Sequence, residues 1–134
     1  MIKKEEYYTN QHSCFLLQYH FILVTKYRKP VIITDLKNFL IAYTEKYFKD
    51  RDFHIVEINT NVDHVHILFE CSPTVNLSTF VNAFKSASSR MIRKKFSNEL
   101  NKHYWKPYFW NDSYFICTVS DKSEKIIKKY IQNQ

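Results

Sequence analysis

Asp63-His64-Val65-His66-Ile67-Leu68-Phe69 is an apolar, β-prone run interrupted by two histidines. Side chains alternate between the two faces of a strand, so His64 and His66 are predicted to share one face, while Val65 and its apolar neighbours anchor the other in a core. The two backbone positions lie roughly 7 Å apart, so both imidazoles can reach one divalent metal if a further ligand comes from elsewhere. A pair of exposed or hydrogen-bonded histidines fits the same pattern.

The segments on either side of this strand give the order of the elements. Apolar spacing predicts strands at 13–25, 53–59, 62–70 and 113–120, and helices at 34–49, 77–100 and from Asp121 to the end. This β-α-β-β-α-β-α order predicts an α+β fold, a ferredoxin-like split β-α-β antiparallel sheet with an added C-terminal helix. The histidines are expected mid-sheet, on the face that the first two helices leave open, where the C-terminal helix has to reach them.

Local signals make three further predictions about these elements. Thr34 or Asp35 is expected to cap the first helix, and Asp121, with Glu124 three residues on, is expected to cap the last. Helical spacing predicts that the core stripe of the long helix consists of Leu77, Phe80, Phe84, Ala87 and Met91. Strand alternation predicts that one face of the 53–59 strand carries Ile55, Glu57 and Asn59.

Composition favours a class of partner. The 134 residues predict one domain, 1–134, in which Lys plus Arg (20) exceed Asp plus Glu (13) by seven. There are also ten Tyr and eleven Phe. This balance favours nucleic acid as the partner, because cations attract phosphates and rings stack on unpaired bases. A merely solvated basic surface is the alternative.

Other classes are excluded by what the sequence lacks. The chain has no glycine, which excludes P-loops and dinucleotide-binding motifs and therefore a nucleotide cofactor. No apolar run approaches the ~20 residues of a membrane span and no secretory signal opens the chain, so a cytoplasmic location without a membrane partner is expected. Cys14, Cys71 and Cys117 are far apart, which predicts neither a disulfide framework nor a thiolate zinc site.

The last helix carries a second candidate half of a site. Tyr130 and Gln134 are four residues apart and share one face of it. A glutamine oxygen can bind a metal and a phenol can act as a nucleophile. Packing of Tyr130 against Ile126 and Ile127 is the alternative.

Three motifs together resemble the TnpA-type single-tyrosine HUH transposases (IS200/IS605-like), which serve small, hairpin-ended prokaryotic insertion sequences that move as single-stranded DNA. The motifs are Asp63-His64-Val65-His66, Phe109-Trp110-Asn111-Asp112-Ser113-Tyr114-Phe115 and Lys129-Tyr130-Ile131-Gln132-Asn133-Gln134. HUH denotes two histidines separated by a bulky apolar residue. The resemblance runs over nearly the whole chain, from Tyr19-His20-Phe21 to the end.

The resemblance implies a chemistry for these residues. His64, His66 and Gln134 would bind Mg²⁺ or Mn²⁺, and Tyr130 would attack a phosphodiester in single-stranded DNA. The products would be a 5′-phosphotyrosine and a free 3′-OH, so no ATP is required. The resemblance also implies hairpin-bearing single-stranded DNA as partner, and a homodimer in which the tyrosine helix of one subunit can complete the histidine site of the other.

Further residues are candidates for contact with DNA. The candidate cations are Lys26, Arg28, Lys29, Lys85, Arg90, Arg93 and Lys94, each of which can equally be a solvated charge. Tyr104, Trp105 and Trp110 can stack on bases or pack in the core. His20, on the strand face opposite Phe21, is a further candidate to approach the histidine site.

Three other functions compete with transposition. A non-catalytic RNA-binding module suits the fold and charge, although a chain without glycine cannot carry the RNA-recognition signature. A hydrolytic metal phosphoesterase would use the two histidines with water and would be insensitive to Tyr130→Phe. A domesticated, repeat-associated HUH nuclease would act on genomic hairpins.

Overall fold

The computed structural model of the protein describes residues 1–4 and 6–134. Its first three strands, of two residues each, form a small antiparallel sheet: β1 (Ile2–Lys3), β2 (Tyr8–Thr9) and β3 (Cys14–Phe15). The next strand, β4 (Gln18–Val24), belongs to the main sheet. The single strand predicted at 13–25 is therefore two strands, because Phe15 pairs with Tyr8 in the small sheet and β4 pairs elsewhere.

Three further strands complete the main sheet: β5 (His54–Thr60), β6 (His64–Glu70) and β7 (Phe115–Thr118). The strand order is β5-β6-β4-β7, and each neighbouring pair is antiparallel. This is the order of the split β-α-β fold, so the predicted fold class is confirmed. The strand that carries the histidines lies beside β4 in the centre, also as predicted.

Two long helices, α1 (Thr34–Asp50) and α2 (Leu77–Lys95), cover one face of the main sheet. The core between them is largely aromatic, and Phe21, Phe48, Phe69 and Phe84 are fully buried in it. Burial of such rings drives folding, at roughly 25 cal/mol for each Å² of apolar surface removed from water. Among the described residues, no helix has the length and apolar character needed to cross a membrane.

The last helix, α4 (Ser123–Gln132), lies on the opposite face of the sheet. Its Ile127 is buried against Ile22 and Val24 of β4, with Ile131 packed at the margin of this second core. Because side chains of β4 alternate, the residues next to them in sequence point into the first core instead. The prediction that the C-terminal helix reaches the face left open by the first two helices is confirmed.

The helix predicted over 77–100 ends early. Phe96 terminates α2 with φ −120° and precedes the short α3 (Ser97–Leu100). Its ring is buried and meets the ring of Phe39 in α1 edge-on, with centroids 5.7 Å apart. The break therefore lets the chain turn while an aromatic side chain closes the core beneath it.

The core stripe of α2 follows the prediction in its first half. Phe80 and Phe84 are buried, whereas Leu77 and Ala87 are partly buried. Met91 is exposed, and its neighbour Ile92 is fully buried. The prediction for Met91 is wrong because the buried face of the helix shifts by one position near its end.

The predicted helix caps differ from the observed ones. The N-cap position of α1 falls on Ile33, whose apolar side chain offers no acceptor, so the cap predicted at Thr34 or Asp35 is wrong. The N-cap position of α4 falls on Lys122 rather than on Asp121. In that turn the Ser123 hydroxyl instead donates to the Thr118 carbonyl at 2.8 Å, and Glu124 forms an exposed ion pair with Lys128.

A β-bulge changes the faces of β5. Ile55 pairs with Phe69 and Glu57 pairs with Leu68, so one extra residue, Val56, is inserted between two consecutive pairs. Ile55 consequently packs on the first core, whereas Glu57 and Asn59 face the side of α4. The prediction that these three residues share one face is wrong for Ile55.

Candidate active site

His64 and His66 lie on the sheet face that α4 covers. They pair across the ladder with Val24 and Ile22, which point towards that helix, while Val65 between them is fully buried in the first core. The alternation predicted from the sequence is therefore confirmed. Both imidazoles are partly buried and come from a central strand, so the backbone beneath them is fixed by ladders on both sides.

Asp63 orients the first histidine. Nδ1 of His64 lies 2.9 Å from Oδ1 of Asp63, and because a carboxylate only accepts, this nitrogen carries the proton. The lone pair of His64 is then on Nε2, where a metal can bind. Histidine ligands of metals commonly donate their other ring N–H to a carboxylate in this way. The local geometry therefore fits a divalent cation at His64.

Arg28 ties the same carboxylate to α4. Its Nε donates to Oδ2 of Asp63 at 3.1 Å, and its Nη1 donates to the carbonyl oxygen of Ile131 at 3.2 Å. The guanidinium thus bridges the histidine strand and the last turn of the tyrosine helix. Arg28 and Tyr27 before it both have positive φ, 51° and 57°, in the left-handed region that side chains with Cβ disfavour.

His66 meets a third histidine. Nδ1 of His20 lies 2.8 Å from Nε2 of His66, so His20 approaches the site. Burial lowers the pKa of both imidazoles, and the charge of His20 lowers the pKa of His66 further. A lowered pKa keeps an imidazole neutral and able to bind a metal. Beside this pair is a cavity of about 500 Å³, whose wall includes Glu57, Asn59 and the first turns of α4.

Tyr130 and Gln134 lie towards β7, and the Tyr130 ring packs at the margin of the second core that contains Ile127. The hydroxyl of Tyr130 is 3.2 Å from Oγ of Ser113, and its ring packs on Phe115 with centroids 5.1 Å apart. Oε1 of Gln134 accepts a hydrogen bond from Nδ2 of Asn111 at 2.8 Å. The structure thus brings Tyr130 and Gln134 together on the residues of the second motif.

The two halves of the site are not joined within one protomer. The apolar contact of Ile127 and Ile131 with β4 separates them, and no hydrogen bond among the described residues links Tyr130 or Gln134 to the histidines. Nor do the described residues contain three His, Cys, Asp or Glu side chains gathered closely enough to hold a metal ion. Gln134, the third ligand that the resemblance implies, accepts a hydrogen bond from Asn111 instead.

The seven predicted DNA-binding cations fall into two groups. Five of them are partly buried, and all of these except Lys29 have a side-chain hydrogen bond or ion pair within the protein: Lys26, Arg28, Lys29, Lys85 and Arg93. Lys85 is the clearest case, because its Nζ donates to the carbonyl oxygens of Asn111 and Asp112, and burial lowers its pKa. Arg90 and Lys94 are exposed on α2.

The three aromatic candidates also divide. Tyr104 and Trp110 are buried, and the indole N–H of Trp110 donates to Oγ of Ser88 at 2.9 Å. Core packing is therefore the correct interpretation for these two. Trp105 is exposed.

Sequence reasoning gave no role to three polar residues that organise the site. Asp63 holds His64, whereas Asn111 and Ser113 hold Gln134 and Tyr130. All three stand inside the motifs themselves. For Asp63, a carboxylate directly before a candidate ligand was the available signal, whereas Asn111 and Ser113 are distant in sequence from the residues that they hold.

The chain matches a family model described as IS200-like transposase over residues 13–134. It is 31% identical over 120 residues to the ISDra2 transposase TnpA of Deinococcus radiodurans, covering 90% of this chain and 85% of that protein. It is 28% identical over 123 residues to the transposase for insertion sequence element IS200 of Salmonella typhimurium, covering 92% of this chain and 80% of that one.

Two solved structures resemble this fold. A crystal structure of a Deinococcus radiodurans transposase matches with a TM-score of 0.87 at 30% identity, covering 95% of this chain and 97% of that one. A REP-associated tyrosine transposase, solved bound to a REP hairpin, matches with a TM-score of 0.53 at 16% identity, covering 96% and 68%. This second likeness is one of fold alone.

Fold, paired histidines and helical tyrosine together define a tyrosine (HUH) transposase. The chain belongs to the family of IS200-like transposases, as the resemblance in its sequence indicated. The activity of this class is the cutting and rejoining of DNA in transposition.

Proposed function

We propose that this transposase cleaves and rejoins single-stranded DNA at hairpin-bearing insertion-sequence ends, with Tyr130 as nucleophile and a divalent metal, Mg²⁺ or Mn²⁺, bound by His64, His66 and Gln134. The observation that carries the proposal is the position of His64 and His66 on the face covered by the tyrosine helix. Asp63 at Nδ1 of His64 supports a metal-binding role for that ring.

The covalent step balances without an external energy source. The phenolate oxygen of Tyr130 attacks phosphorus, the bond between phosphorus and the 3′ oxygen breaks, and that oxygen leaves as a 3′-OH after taking a proton. The 5′ phosphate stays on Tyr130 as a phosphodiester. In the reverse direction a 3′-OH attacks this linkage and releases the tyrosine, so the bond energy is conserved.

The phenol has to be activated before it can attack, because an ordinary tyrosine has a pKa near 10 and is protonated at neutral pH. When bound, the divalent metal supplies Lewis-acid polarisation and orientation of the scissile phosphate. Lys129 is exposed next to Tyr130 in α4 and can contribute positive charge there, whereas Lys128 pairs with Glu124. Ser113, 3.2 Å from the hydroxyl, orients the phenol before attack.

The active enzyme is a homodimer in this proposal. In one protomer Tyr130 and Gln134 face β7, whereas the histidines lie across the apolar contact made by Ile127. The tyrosine helix of a second copy would bring nucleophile and third ligand to the histidine pair without disrupting that contact. Isologous association of this kind is the commonest symmetry of protein oligomers.

The proposed substrate follows from charge and from the relatives. A net charge of +7 favours binding to a polyanion. The REP-associated transposase of similar fold was solved bound to a REP hairpin. Hairpin ends with single-stranded flanks are therefore the first substrates to test.

A denaturing gel tests the proposed chemistry. Hairpin-bearing single-stranded DNA, labelled at either end, is incubated with the protein and Mn²⁺ or Mg²⁺. A 5′-phosphotyrosine predicts that the 3′ label migrates with the protein after SDS, while the 5′ label is released on a shorter strand. Tyr130→Phe is expected to abolish the adduct, and His64→Ala is expected to remove metal-dependent cleavage. Both variants should still bind the hairpin on native gels.

Tyr7→Phe is the matched control, because this exposed tyrosine lies in the small N-terminal sheet region, away from α4. Cleavage without an adduct, equal in wild type and Tyr130→Phe, would mean a hydrolytic phosphoesterase. Binding without cleavage across a random-sequence pool would mean a non-catalytic module.

A further inference from the structure

Trp105 is the most exposed large hydrophobic side chain of the described residues, at 79%. Tyr27 is exposed at 61%, whereas most of the other aromatic side chains form the two cores. Tyr108, three residues after Trp105, is partly buried and meets Tyr27 edge-on, with ring centroids 5.8 Å apart. We call Tyr27, Trp105 and Tyr108 the aromatic patch.

Two lysines lie over these rings. Nζ of Lys106 is 4.6 Å from the ring centroid of Trp105. Nζ of Lys26 is 5.4 Å from the ring of Tyr27 and 5.1 Å from that of Tyr108. Rings beside ammonium groups are the combination that binds single-stranded nucleic acid, because bases stack on the rings and phosphates approach the cations.

The patch is held in place by the backbone. The Tyr104 hydroxyl donates to the carbonyl oxygen of Lys26 at 2.7 Å, and the Lys26 amide donates to that of Phe109 at 2.8 Å. These bonds fix the turn after β4 against the connector that carries Trp105. The positive φ of Tyr27 belongs to this turn, whose geometry leaves the tyrosine ring exposed.

The same turn leads to the histidines. Arg28, next to Tyr27, donates to Asp63, and Asp63 holds His64. The aromatic patch therefore lies at the end of the main sheet where His64 stands. A strand whose scissile phosphate is at the histidine pair would run past this end with its neighbouring bases unpaired.

We infer that the aromatic patch is a stacking site for unpaired bases of single-stranded DNA next to the cleaved linkage, with Trp105 as its principal platform. This inference rests on the proposed function for its substrate. Lys106 supplies charge for an adjoining phosphate, whereas Nζ of Lys26 is already paired with Asp112 at 3.1 Å. A hairpin stem, whose bases are already stacked, would gain nothing from these rings.

The test measures binding of a labelled oligothymidylate to the full chain in EDTA, where no metal-dependent cleavage occurs. Trp105→Ala is expected to weaken binding roughly 5- to 150-fold, the loss typical of one stacked base. Trp105→Phe should restore most of the affinity because it keeps a ring. Tyr7→Ala, the loss of another exposed ring, should leave affinity unchanged, as should Trp105→Ala for a blunt duplex.

Fluorescence gives a second readout. The chain has two tryptophans, of which Trp110 is buried. Oligothymidylate should quench the emission of the wild type and leave that of Trp105→Phe, which comes from Trp110, unchanged.

Three results would overturn the inference. One is an affinity of Trp105→Ala for oligothymidylate within twofold of wild type, and another is an equal loss for single strand and duplex. The third is a change in oligomeric mass of Trp105→Ala by light scattering, which would make the patch a contact between copies. Because no cleavage is needed, this inference can fail while the Tyr130 adduct forms, or hold if the adduct does not.

Discussion

Asp63 connects three parts of the candidate site. One carboxylate oxygen holds His64, the other accepts from Arg28, and its carbonyl oxygen accepts from the Thr25 amide at 2.9 Å. The side chain fixes the protonated nitrogen of His64 and its orientation, without itself being a proposed ligand. Its loss should therefore affect metal binding more than folding.

Asp63→Asn is expected to lower the affinity for Mn²⁺ roughly 10- to 100-fold, as loss of a carboxylate partner of a ligating histidine typically does. Isothermal calorimetry measures this without DNA and without turnover. Asp112→Asn is the matched control, since that carboxylate is exposed and pairs with Lys26 instead. Unchanged Mn²⁺ affinity in Asp63→Asn, with His64→Ala impaired, would contradict the orienting role.

Among the elements, the small N-terminal sheet was not predicted. It packs against the end of the main sheet that lies opposite His64, where Gln18 pairs with Glu70. The Tyr8 hydroxyl of β2 donates to Oε1 of Glu70 at 2.6 Å, and Nε2 of Gln18 donates to Oε2 at 2.7 Å. Burial alone raises the pKa of Glu70, but these bonds and the charge of Lys3 outweigh it and hold the pKa below its ordinary value of 4.5. The carboxylate is thus buried in its charged form.

Tyr8→Phe is expected to lower the free energy of unfolding by about 1–3 kcal/mol near neutral pH, because a buried carboxylate oxygen loses its donor. Because the pKa of Glu70 is lower in the folded protein than its ordinary value of 4.5, the carboxylate stabilises the fold fully above pH 4.5. This stabilisation is lost as the pH falls through the pKa of Glu70 in the folded protein. The difference between wild type and Tyr8→Phe should therefore be smaller at about pH 3 than at about pH 7. Urea unfolding at both pH values measures it.

Tyr7→Phe serves as the neighbouring control for this measurement, because its side chain is exposed. A Tyr8→Phe protein as stable as wild type near neutral pH would contradict the role given to the hydrogen bond. So would a deficit of the same size at both pH values.

In the whole molecule, the separation of Tyr130 from the histidines leads to the proposed dimer. His64→Ala and Tyr130→Phe proteins, each inactive alone, are expected to recover adduct formation when mixed and allowed to exchange subunits. Random mixing should restore about a quarter of the wild-type sites, because half of the dimers are mixed and each has one complete site. The denaturing gel with 3′-labelled DNA measures the recovery.

The control for mixing is a double variant, His64→Ala with Tyr130→Phe, which should give no adduct with either single variant beyond the level expected from its own dimers. No recovery from the two single variants, although native mass spectrometry shows mixed dimers, would mean that each protomer uses its own tyrosine. A monomeric mass in the presence of DNA would contradict the dimer itself.

The sequence predicted what depends on periodicity. The alternation around Val65 and the apolar spacing of α1 and α2 were enough to predict the main sheet, its two faces and the position of α4. It missed features set by contacts distant in sequence. Three such features are the bulge at Val56, the helix break at Phe96 and the sheet that pairs Tyr8 with Phe15. Each is determined by tertiary packing, which no local sequence pattern indicates.

The candidate site divides in the same way. The shared face of His64 and His66 follows from strand geometry, and Tyr130 with Gln134 from helix geometry. Which side of α4 faces the histidines depends instead on Ile127 packing against β4. That is a tertiary choice, so the separation of the two halves became visible only in the structure.

The covalent step proposed for Tyr130 can be located by mass spectrometry. The adduct with 3′-labelled DNA is trapped in SDS, digested with nuclease and trypsin, and sequenced. Trypsin cuts after Lys129, so we expect a residual nucleotide, joined through its 5′ phosphate, on the peptide Tyr130–Gln134. A nucleotide on another tyrosine or on a different residue type, with Tyr130–Gln134 recovered unmodified, would contradict it.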